Sequence, residues 1–249
     1  MKLIKGDCIE EMKNLIKNEI KVDMILTDLP YGTTANKWDS NIPFEPMWEC
    51  VNGLIKDNGA ILFFSAQPFT SVLISSNLDM YRYSWVWDKC GSTGFLNVNY
   101  APLKRTEDIN VFSKATVGSK SKNPIVYYPQ DLIPVNKKKK NNPNSTWRKN
   151  MGYGGNNKLN SDAEYIQKYT NYPTNILKFK RDKANYHPTQ KPVELLKYLI
   201  KTYTKENEIV LDFTMGSGST GVACSETNRD FIGIELNEKY FDVAKDRIN

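Results

Sequence analysis

A glycine-rich turn between a predicted strand and a predicted helix is the feature that most constrains this chain. The segment Gly216-Ser217-Gly218-Ser219-Thr220-Gly221 follows the apolar run Glu208 to Phe213 and opens a helical pattern that ends near Thr227. Glycines at this spacing permit a tight turn and let a ligand approach the backbone. Glu235 follows at the end of the next predicted strand, where a carboxylate can accept hydrogen bonds from ribose hydroxyls. The pattern predicts a site for an adenosine-containing ligand.

Short runs rich in β-branched residues alternate with helical patterns on both sides of the middle of the chain, which is typical of βαβ units. We therefore predict an α/β fold, a doubly wound and mainly parallel sheet with helices on both faces. Predicted strands are Lys2 to Lys5, Val22 to Thr27, Ala60 to Ser65, Tyr81 to Trp87, Glu208 to Phe213 and Phe231 to Glu235. Predicted helices are Ile9 to Ile16, Pro46 to Lys56, a helix from about Pro68, Val193 to Tyr203 and Glu238 to Ile248.

The middle of the chain differs from both ends in composition and charge. Between Ser113 and Tyr172 it is rich in Asn, Lys, Pro, Gly and Tyr and has few apolar periods, so we predict an inserted, mostly irregular region. From Val111 to Lys180 there are 13 Lys and Arg against 3 Asp and Glu, while the rest of the chain has 21 basic and 25 acidic residues. Basicity confined to one region is expected of a segment that faces a polyanion, although a solvated loop would explain the run Lys137 to Lys140 equally well.

A second motif lies at the carboxyl end of the predicted strand Val22 to Thr27, where open α/β sheets place their ligands. Its residues are Asp28-Leu29-Pro30-Tyr31-Gly32. An exocyclic amine is a poor nucleophile because its lone pair is delocalised into the ring. The Asp28 carboxylate and a carbonyl in Leu29-Pro30 can accept hydrogen bonds from such an amine, and Tyr31 can stack on an extruded base. The same residues also form a favourable turn sequence.

Three motifs together resemble the DNA amino-methyltransferases of the permuted β group, found in bacteria and phages. Asp28-Leu29-Pro30-Tyr31 resembles the catalytic Asp-Pro-Pro-Tyr tetrad, and Asp212 to Gly218 resembles the cofactor loop Asp-Pro-Phe-x-Gly-x-Gly. His187 to Pro192 is similar to a segment just before that loop. The resemblance covers roughly residues 1–112 and 181–249. It implies a circularly permuted, Rossmann-like methyltransferase fold.

The resemblance divides the chain into a catalytic half at 1–112, a target recognition insertion at 113–180 and a cofactor-binding half at 181–249. It implies transfer of a methyl group from S-adenosylmethionine to adenine N6 in double-stranded DNA after base flipping. Asp28 favours adenine, because the cytosine N4 enzymes of the family more often carry Ser there. Cytosine N4 remains an alternative, as do a nicotinamide-dependent oxidoreductase and an inactive DNA-binding protein.

The resemblance also implies roles for individual residues. Asp28, Pro30 and Tyr31 would be catalytic. The cofactor would be bound by Asp7 at its adenine, by Glu235 at its ribose and by Asp212 with the 216–218 backbone at its methionine end. The residues of the cofactor loop that are expected to bind the cofactor are Phe213, Thr214, Gly216, Ser217 and Gly218. Asp7 is equally well explained as the cap of the next helix. DNA contacts are expected from Lys137, Lys138, Lys139, Lys140, Arg148 and Lys149.

Two departures from the family pattern stand at these motifs. Leu29 replaces the first proline of the tetrad, which loosens the geometry of its carbonyl. Phe213-Thr214 stands where the family usually has Pro-Phe, so the wall beside the cofactor's adenine is expected to be built differently. Neither departure removes a reacting group.

Other residues support weaker or negative inferences. His187 is the single histidine, and because methylation of an amino group needs no strong base we expect a structural or cofactor-flanking role. Tyr81, Tyr83, Trp85 and Trp87 are spaced by two, which favours a buried sheet face over a platform for bases. Four dispersed cysteines and one histidine predict no metal site and a reduced compartment.

The surroundings of the protein are predicted on general grounds. We expect it in the cytoplasm without a membrane span, because no stretch approaches 18 apolar residues. A homodimer and a cognate restriction endonuclease are family expectations.

Overall fold

A computed structural model describes residues 1–31, 42–140, 164–183, 186 and 189–248. The chain forms two compact units. The first comprises residues 1–128 and 174–249, and the second comprises residues 129–173.

An eight-stranded sheet lies at the centre of the first unit, with the strand order β1-β10-β9-β2-β3-β5-β4-β8. Among the described strands of this sheet, β5 alone runs antiparallel to its neighbours. The predicted doubly wound, mainly parallel sheet is therefore confirmed. The strands are β1 (Lys2–Lys5), β2 (Val22–Asp28), β3 (Ile55–Ser65), β4 (Tyr81–Thr93), β5 (Lys104–Phe112), β8 (Ile176–Lys178), β9 (Ile209–Asp212) and β10 (Asp230–Glu235).

Helices cover both faces of this sheet and bury two separate apolar clusters. On one face, Ile25, Phe63 and Leu211 of the sheet pack against α1, α2 and α3. On the other face, Leu26 and Val210 pack against α4, α5 and α6. The helices are α1 (Cys8–Lys17), α2 (Phe44–Leu54), α3 (Phe69–Ser76), α4 (Val193–Tyr203), α5 (Ser219–Glu226) and α6 (Glu238–Ile248). Of these described helices, none has both the length and the apolar character required to cross a membrane.

The first unit is larger than the two predicted halves of the chain. Ala115, Ile125 and Leu177 are buried in its core, although they fall inside the predicted insertion at 113–180. Leu177 belongs to β8, which pairs with β4 and extends the sheet. The second unit is accordingly shorter than the predicted insertion at both ends.

The second unit contains an antiparallel pair of strands where we predicted mostly irregular structure. Strand β6 (Ile133–Lys140) pairs with β7 (Glu164–Thr170). The run Lys137–Lys140 therefore lies on a strand, with all four lysines exposed. Its alternating geometry places two lysines on each face of the ribbon.

The aromatic residues at the start of β4 do not share one face, contrary to our prediction. The pairing of β4 with β5 shifts its register between Tyr81 and Tyr83. Tyr81 consequently packs on the α1–α3 side, against Phe112, whereas Tyr83, Trp85 and Trp87 belong to the cluster on the opposite face. Trp85 and Trp87 are buried, which supports a packing role for the strand.

The polar groups of three aromatic side chains are hydrogen-bonded to one another in the cluster on the α4–α6 face. The Tyr203 hydroxyl accepts a hydrogen bond from Trp85 Nε1 at 2.7 Å and lies 2.8 Å from the Tyr83 hydroxyl. Tyr203 is fully buried. Its hydroxyl therefore satisfies an indole N–H that has lost contact with water.

We predict that Tyr203→Phe lowers the free energy of unfolding by about 1–3 kcal/mol, because the buried Trp85 N–H loses its acceptor. Chemical denaturation would measure the change. Tyr100→Phe is the matched control, since Tyr100 is largely exposed. Equal stability of Tyr203→Phe and the wild type would contradict the prediction.

Candidate active site

A cavity of about 820 Å³ opens at the carboxyl ends of β2, β9 and β10. This is the edge at which parallel α/β sheets bind ligands, because the loops that follow the strands converge there. It is lined by ten of the eleven predicted catalytic and cofactor-binding residues. They are Asp7, Asp28, Pro30, Tyr31, Asp212, Phe213, Thr214, Gly216, Ser217 and Glu235.

Asp28 ends β2 and makes side-chain hydrogen bonds through both carboxylate oxygens. Tyr31 donates its hydroxyl hydrogen to Oδ1 at 2.9 Å, and Lys191 Nζ lies 2.7 Å from Oδ2. Burial raises the pKa of Asp28 above its usual value, although Lys191 opposes the rise. Burial and the Asp28 carboxylate raise the pKa of Tyr31, so Tyr31 keeps its proton and acts as a donor.

The Tyr31 ring is held from one side by an aromatic neighbour. Its centroid lies 5.0 Å from that of Phe69, at an interplanar angle of 27°. This offset-stacked arrangement is favourable for aromatic rings and fixes the plane of Tyr31. Phe69 belongs to the first turn of α3, so helix packing determines the orientation of the tyrosine.

Lys191 continues the contacts of Asp28 into a row of alternating charges. Its Nζ also lies 3.2 Å from Glu107 Oε2, and Glu107 Oε1 accepts a hydrogen bond from Lys89 at 3.1 Å. The Lys191 ammonium lies 5.1 Å from the centre of the Phe64 ring. Burial alone would lower the pKa of Lys191, but Asp28 and Glu107 outweigh it and raise that pKa. Burial opposes ionisation of Glu107, yet Lys191 and Lys89 hold its pKa below the usual value.

Asp212 ends β9 and is buried beside β2. Oδ1 accepts hydrogen bonds from the Thr27 hydroxyl and, at 3.1 Å, from the Thr214 backbone N–H. Oδ2 accepts one from the Thr220 hydroxyl at 2.6 Å. Burial raises the pKa of Asp212 to about 6, although these hydrogen bonds oppose the shift.

Thr214 connects the two predicted motifs directly. Its hydroxyl donates to the backbone carbonyl of Asp28 at 2.9 Å, while its N–H donates to Asp212. The loop pattern that the sequence resembles usually has Phe at this position, which would lack this hydroxyl. Phe213, the other departure, is buried and packs edge to face with Phe63.

Glu235 ends β10 and fastens the glycine-rich turn. Its carboxylate accepts hydrogen bonds from Gly216 N at 2.9 Å and Asn237 N at 2.7 Å. Asp7 follows the adjacent strand and caps α1, accepting hydrogen bonds from Ile9 N and Glu10 N. Asp7 therefore has the capping role that the sequence left open, and it also lines the cavity.

Gly218 lies outside the cavity lining and shapes the turn from behind. Its φ of +80° is in the left-handed region, and a Cβ there would approach Ala244 Cβ to 2.8 Å. Only glycine combines that conformation with this close packing. The Arg247 guanidinium donates a hydrogen bond to Ser217 O at 2.6 Å, and its Cζ lies 4.4 Å from the centre of the Tyr186 ring.

These residues fit a bound adenosine derivative. The cavity combines an apolar wall with a carboxylate at the end of β10 and a turn that contributes Gly216 to the lining. Asp28 and Tyr31 line the same cavity, so a group carried by the nucleoside and a second substrate can meet there. Within the described parts of the chain, no group of His, Cys, Asp and Glu has a metal-binding arrangement.

The predicted DNA-binding residues that the structure describes are absent from the cavity lining. Lys137, Lys138, Lys139 and Lys140 belong to the second unit. Arg148 and Lys149 lie outside the described residues, as does His187, for which we predicted a structural or cofactor-flanking role.

Sequence reasoning missed Lys191 and Glu107 as members of the site. Lys191 is part of the segment His187 to Pro192, whose family resemblance was the signal available. Glu107 lies on β5, a strand that the pattern of apolar residues did not reveal.

Comparisons with known proteins identify relatives of the whole chain. The chain is 30% identical over its whole length to the type II methyltransferase M.HpaI of Haemophilus parainfluenzae, covering 74% of that protein. It is 25% identical to M1.MboII of Moraxella bovis over all of this chain and 96% of that one.

Among solved structures, M1.HpyAVI in complex with SAM superposes with a TM-score of 0.63 at 26% identity, covering 99% of this chain and 98% of that one. The cytosine-N4-specific PvuII DNA methyltransferase shares the fold, with a TM-score of 0.66 at 14% identity over 99% and 86% of the two chains. A family model described as DNA methylase matches residues 22–246. The chain with this site therefore belongs to the N6/N4 DNA methylase family.

Proposed function

We propose that this protein transfers a methyl group from S-adenosylmethionine to N6 of adenine in duplex DNA. The observation that carries the proposal is the shared cavity, in which the Asp28 carboxylate faces the same space as the glycine turn and Glu235. The relative M1.HpyAVI, which covers nearly all of this chain, was solved with SAM. Membership of the DNA methylase family favours methyl transfer over the nicotinamide-dependent alternative.

The cofactor would be held by residues of the glycine turn and its neighbours. Glu235 would accept hydrogen bonds from the ribose hydroxyls, and Asp7 would lie close to the adenine. Asp212 would bind the methionine end together with Gly216 and Ser217. When bound, S-adenosylmethionine supplies an electrophilic methyl group on a sulfonium sulfur. The residues of this chain position the acceptor in front of it.

The target base would leave the duplex and stack on Tyr31, on the ring face opposite to Phe69. Asp28 and a carbonyl of Leu29-Pro30 would accept hydrogen bonds from the amino group and turn its lone pair toward the methyl. The N–C bond would form as the C–S bond breaks with its electron pair left on sulfur, and the cationic nitrogen would then lose a proton to solvent. The reaction needs no covalent intermediate with the enzyme.

Adenine is proposed as the acceptor because position 28 is an aspartate. Cytosine N4 is the second candidate, favoured by the fold shared with the N4-specific PvuII enzyme. Both acceptors are exocyclic amines and would use the same contacts.

DNA recognition is proposed for the second unit, whose range includes Arg148 and Lys149. Four exposed lysines on β6 can contact phosphates irrespective of sequence. The positive charge of the 111–180 region supports this assignment.

We predict that the wild type forms N6-methyladenine in unmethylated DNA supplied with S-adenosylmethionine, and that Asp28→Asn loses roughly 10²-fold or more in rate. Mass spectrometry of the digested nucleosides measures the product. Asp79→Asn is the control, at an exposed aspartate outside the cavity. Formation of N4-methylcytosine would keep the mechanism and overturn the base, and no methylated base in DNA of varied sequence would overturn the proposal.

We also predict that affinity for S-adenosylmethionine falls as pH is lowered through about 6, the pKa of Asp212. Asp212 is ionised above that pH, and protonation removes the charge that would hold the methionine ammonium group. Asp212→Asn should weaken binding roughly ten- to hundredfold at pH 8 and flatten this pH dependence. Calorimetric titration measures both, with Asp57→Asn as an exposed control. An unchanged pH profile in Asp212→Asn would contradict the role.

A further inference from the structure

The first inference concerns Lys191, and it rests on the proposed function. Its side chain is 9% exposed, and its ammonium group contacts two carboxylates, Asp28 at 2.7 Å and Glu107 at 3.2 Å. A buried ammonium on a flexible chain is costly to desolvate unless such partners compensate it. The position of Lys191 is therefore fixed from both sides.

The row of charges fixes Asp28 in turn. Lys89 pairs with Glu107, which keeps Glu107 ionised beside Lys191, and Lys191 pairs with one oxygen of Asp28. Tyr31 donates to the other oxygen. Each carboxylate oxygen can accept more than one hydrogen bond, so both contacts leave Asp28 able to accept one from an amino group.

We propose that Lys191 is a positioning residue that keeps Asp28 charged and oriented for the amino group of the target base. Asp28 lies in a buried site, where a carboxylate without a counterion favours its neutral form. A neutral Asp28 would have a proton on one oxygen and would compensate less of the positive charge that develops on the amine. The charge of Lys191, rather than its volume, is the property required.

We predict that Lys191→Met lowers kcat roughly 10²-fold at neutral pH and moves the acidic limb of the kcat profile to higher pH. Asp28 must be ionised to act, and loss of the ammonium raises its pKa further, so activity returns only in more alkaline solution. Lys191→Arg should keep the limb near its wild-type position. The groups that face Asp28 or act on it through a neighbour are Lys191, Glu107, Tyr31, Asp212 and Lys89.

Lys197→Met is the matched control, because Lys197 also pairs with two carboxylates but lies outside the cavity. Retained binding of S-adenosylmethionine by Lys191→Met would show that the variant is folded. Activity reduced equally at all pH values, or an unchanged limb, would overturn the role of Lys191. Methylation by the wild type tests the proposed function separately.

A second and independent observation concerns the β4–β5 tip, residues 94–103. Its backbone is ordered by hydrogen bonds from Asn97 N to Gly94 O and from Tyr100 N to Asn97 O. It nevertheless exposes four large apolar side chains. Phe95 is 65% exposed, Leu96 98%, Val98 52% and Tyr100 89%. Apolar groups concentrated in this way are typical of an interaction surface.

The tip lies at the edge of the sheet where Asp28 is found. Strands β2 and β4 run in the same direction, because β5 is antiparallel to β4 and to β3, which is parallel to β2. Thr93, the last residue of β4, follows Lys89 by four positions across a bulge in which Cys90 has a positive φ, so the two residues lie at most about 14 Å apart. Because Lys89 belongs to the charge row of Asp28, a large substrate that reaches Asp28 can also reach the tip.

Exposed cations border the same edge. Lys104 begins β5, and Lys178, Lys180, Arg181 and Lys183 lie at and beyond the end of β8. The neighbouring Asp88 is already neutralised by two hydrogen bonds from Arg105, at 2.7 and 3.0 Å. An apolar projection with a cationic border matches the stacked bases and phosphates of DNA.

We infer that the β4–β5 tip inserts an apolar side chain into duplex DNA, at the gap left by the flipped base. Leu96 and Phe95 are the inserting candidates. This inference also rests on the proposed function, since only an enzyme that extrudes a base creates such a gap. Filling the gap would offset part of the cost of unstacking.

We predict that the double variant Phe95→Ser/Leu96→Ser methylates a paired duplex about tenfold or more slowly than the wild type. The duplex contains the methylation site mapped with the wild-type enzyme. On the same duplex with an abasic site opposite the target base, the variant should approach the wild-type rate, since less stacking opposes extrusion. Leu78→Ser is the control, because it removes an exposed leucine near the opposite end of β4.

Equal rates of variant and wild type on the paired duplex, or an equal loss on both duplexes, would overturn the inference. Light scattering should give one oligomeric state for the wild type and the double variant. Dissociation of a wild-type dimer by the double substitution would assign the tip to self-association instead. Methylation by the wild type again tests the proposed function on its own.

Discussion

The site depends on the hydrogen bonds that the buried carboxylate of Asp212 accepts. This carboxylate joins β9, from the C-terminal part of the chain, to β2, from the N-terminal part, through the Thr27 hydroxyl. A carboxylate in such a place is costly unless its oxygens are hydrogen-bonded, and Thr27, Thr214 and Thr220 supply the donors. The tetrad and the glycine turn are adjacent in space because these two strands pair.

The carboxylates of the cofactor side and of the acceptor side are stabilised by different kinds of groups. The cofactor side relies on backbone N–H groups and hydroxyls, which place Glu235 and Asp212 without adding positive charge. The acceptor side relies on the ammonium of Lys191, which compensates the buried charge of Asp28. Burial raises the pKa of both carboxylates, but the rise is opposed by an ion pair with Lys191 at Asp28 and by hydroxyls and one backbone N–H at Asp212. Similar residues are thus suited to different tasks.

Local patterns predicted much of the fold and the core of the site. The apolar runs Val22 to Thr27 and Phe231 to Glu235 predict strands, so Asp28 and Glu235 could be placed at strand ends from the sequence. Strand β5 could not, because its first half, Lys104 to Asp108, is mostly charged and its pairing is non-local. The pairing of Lys191 with Glu107 joins residues far apart in the chain. The register shift after Tyr81 depends on the pairing with β5, so the sequence of β4 alone does not predict it.

Thr214 has a consequence for how the two ligands would affect each other. It donates one hydrogen bond to Asp212 and another to the Asp28 carbonyl, so it links the cofactor loop directly to the tetrad. Thermodynamic linkage is reciprocal. If binding of one ligand fixes Thr214, the second ligand would bind with less loss of conformational entropy, and each ligand would raise the affinity of the other by the same factor.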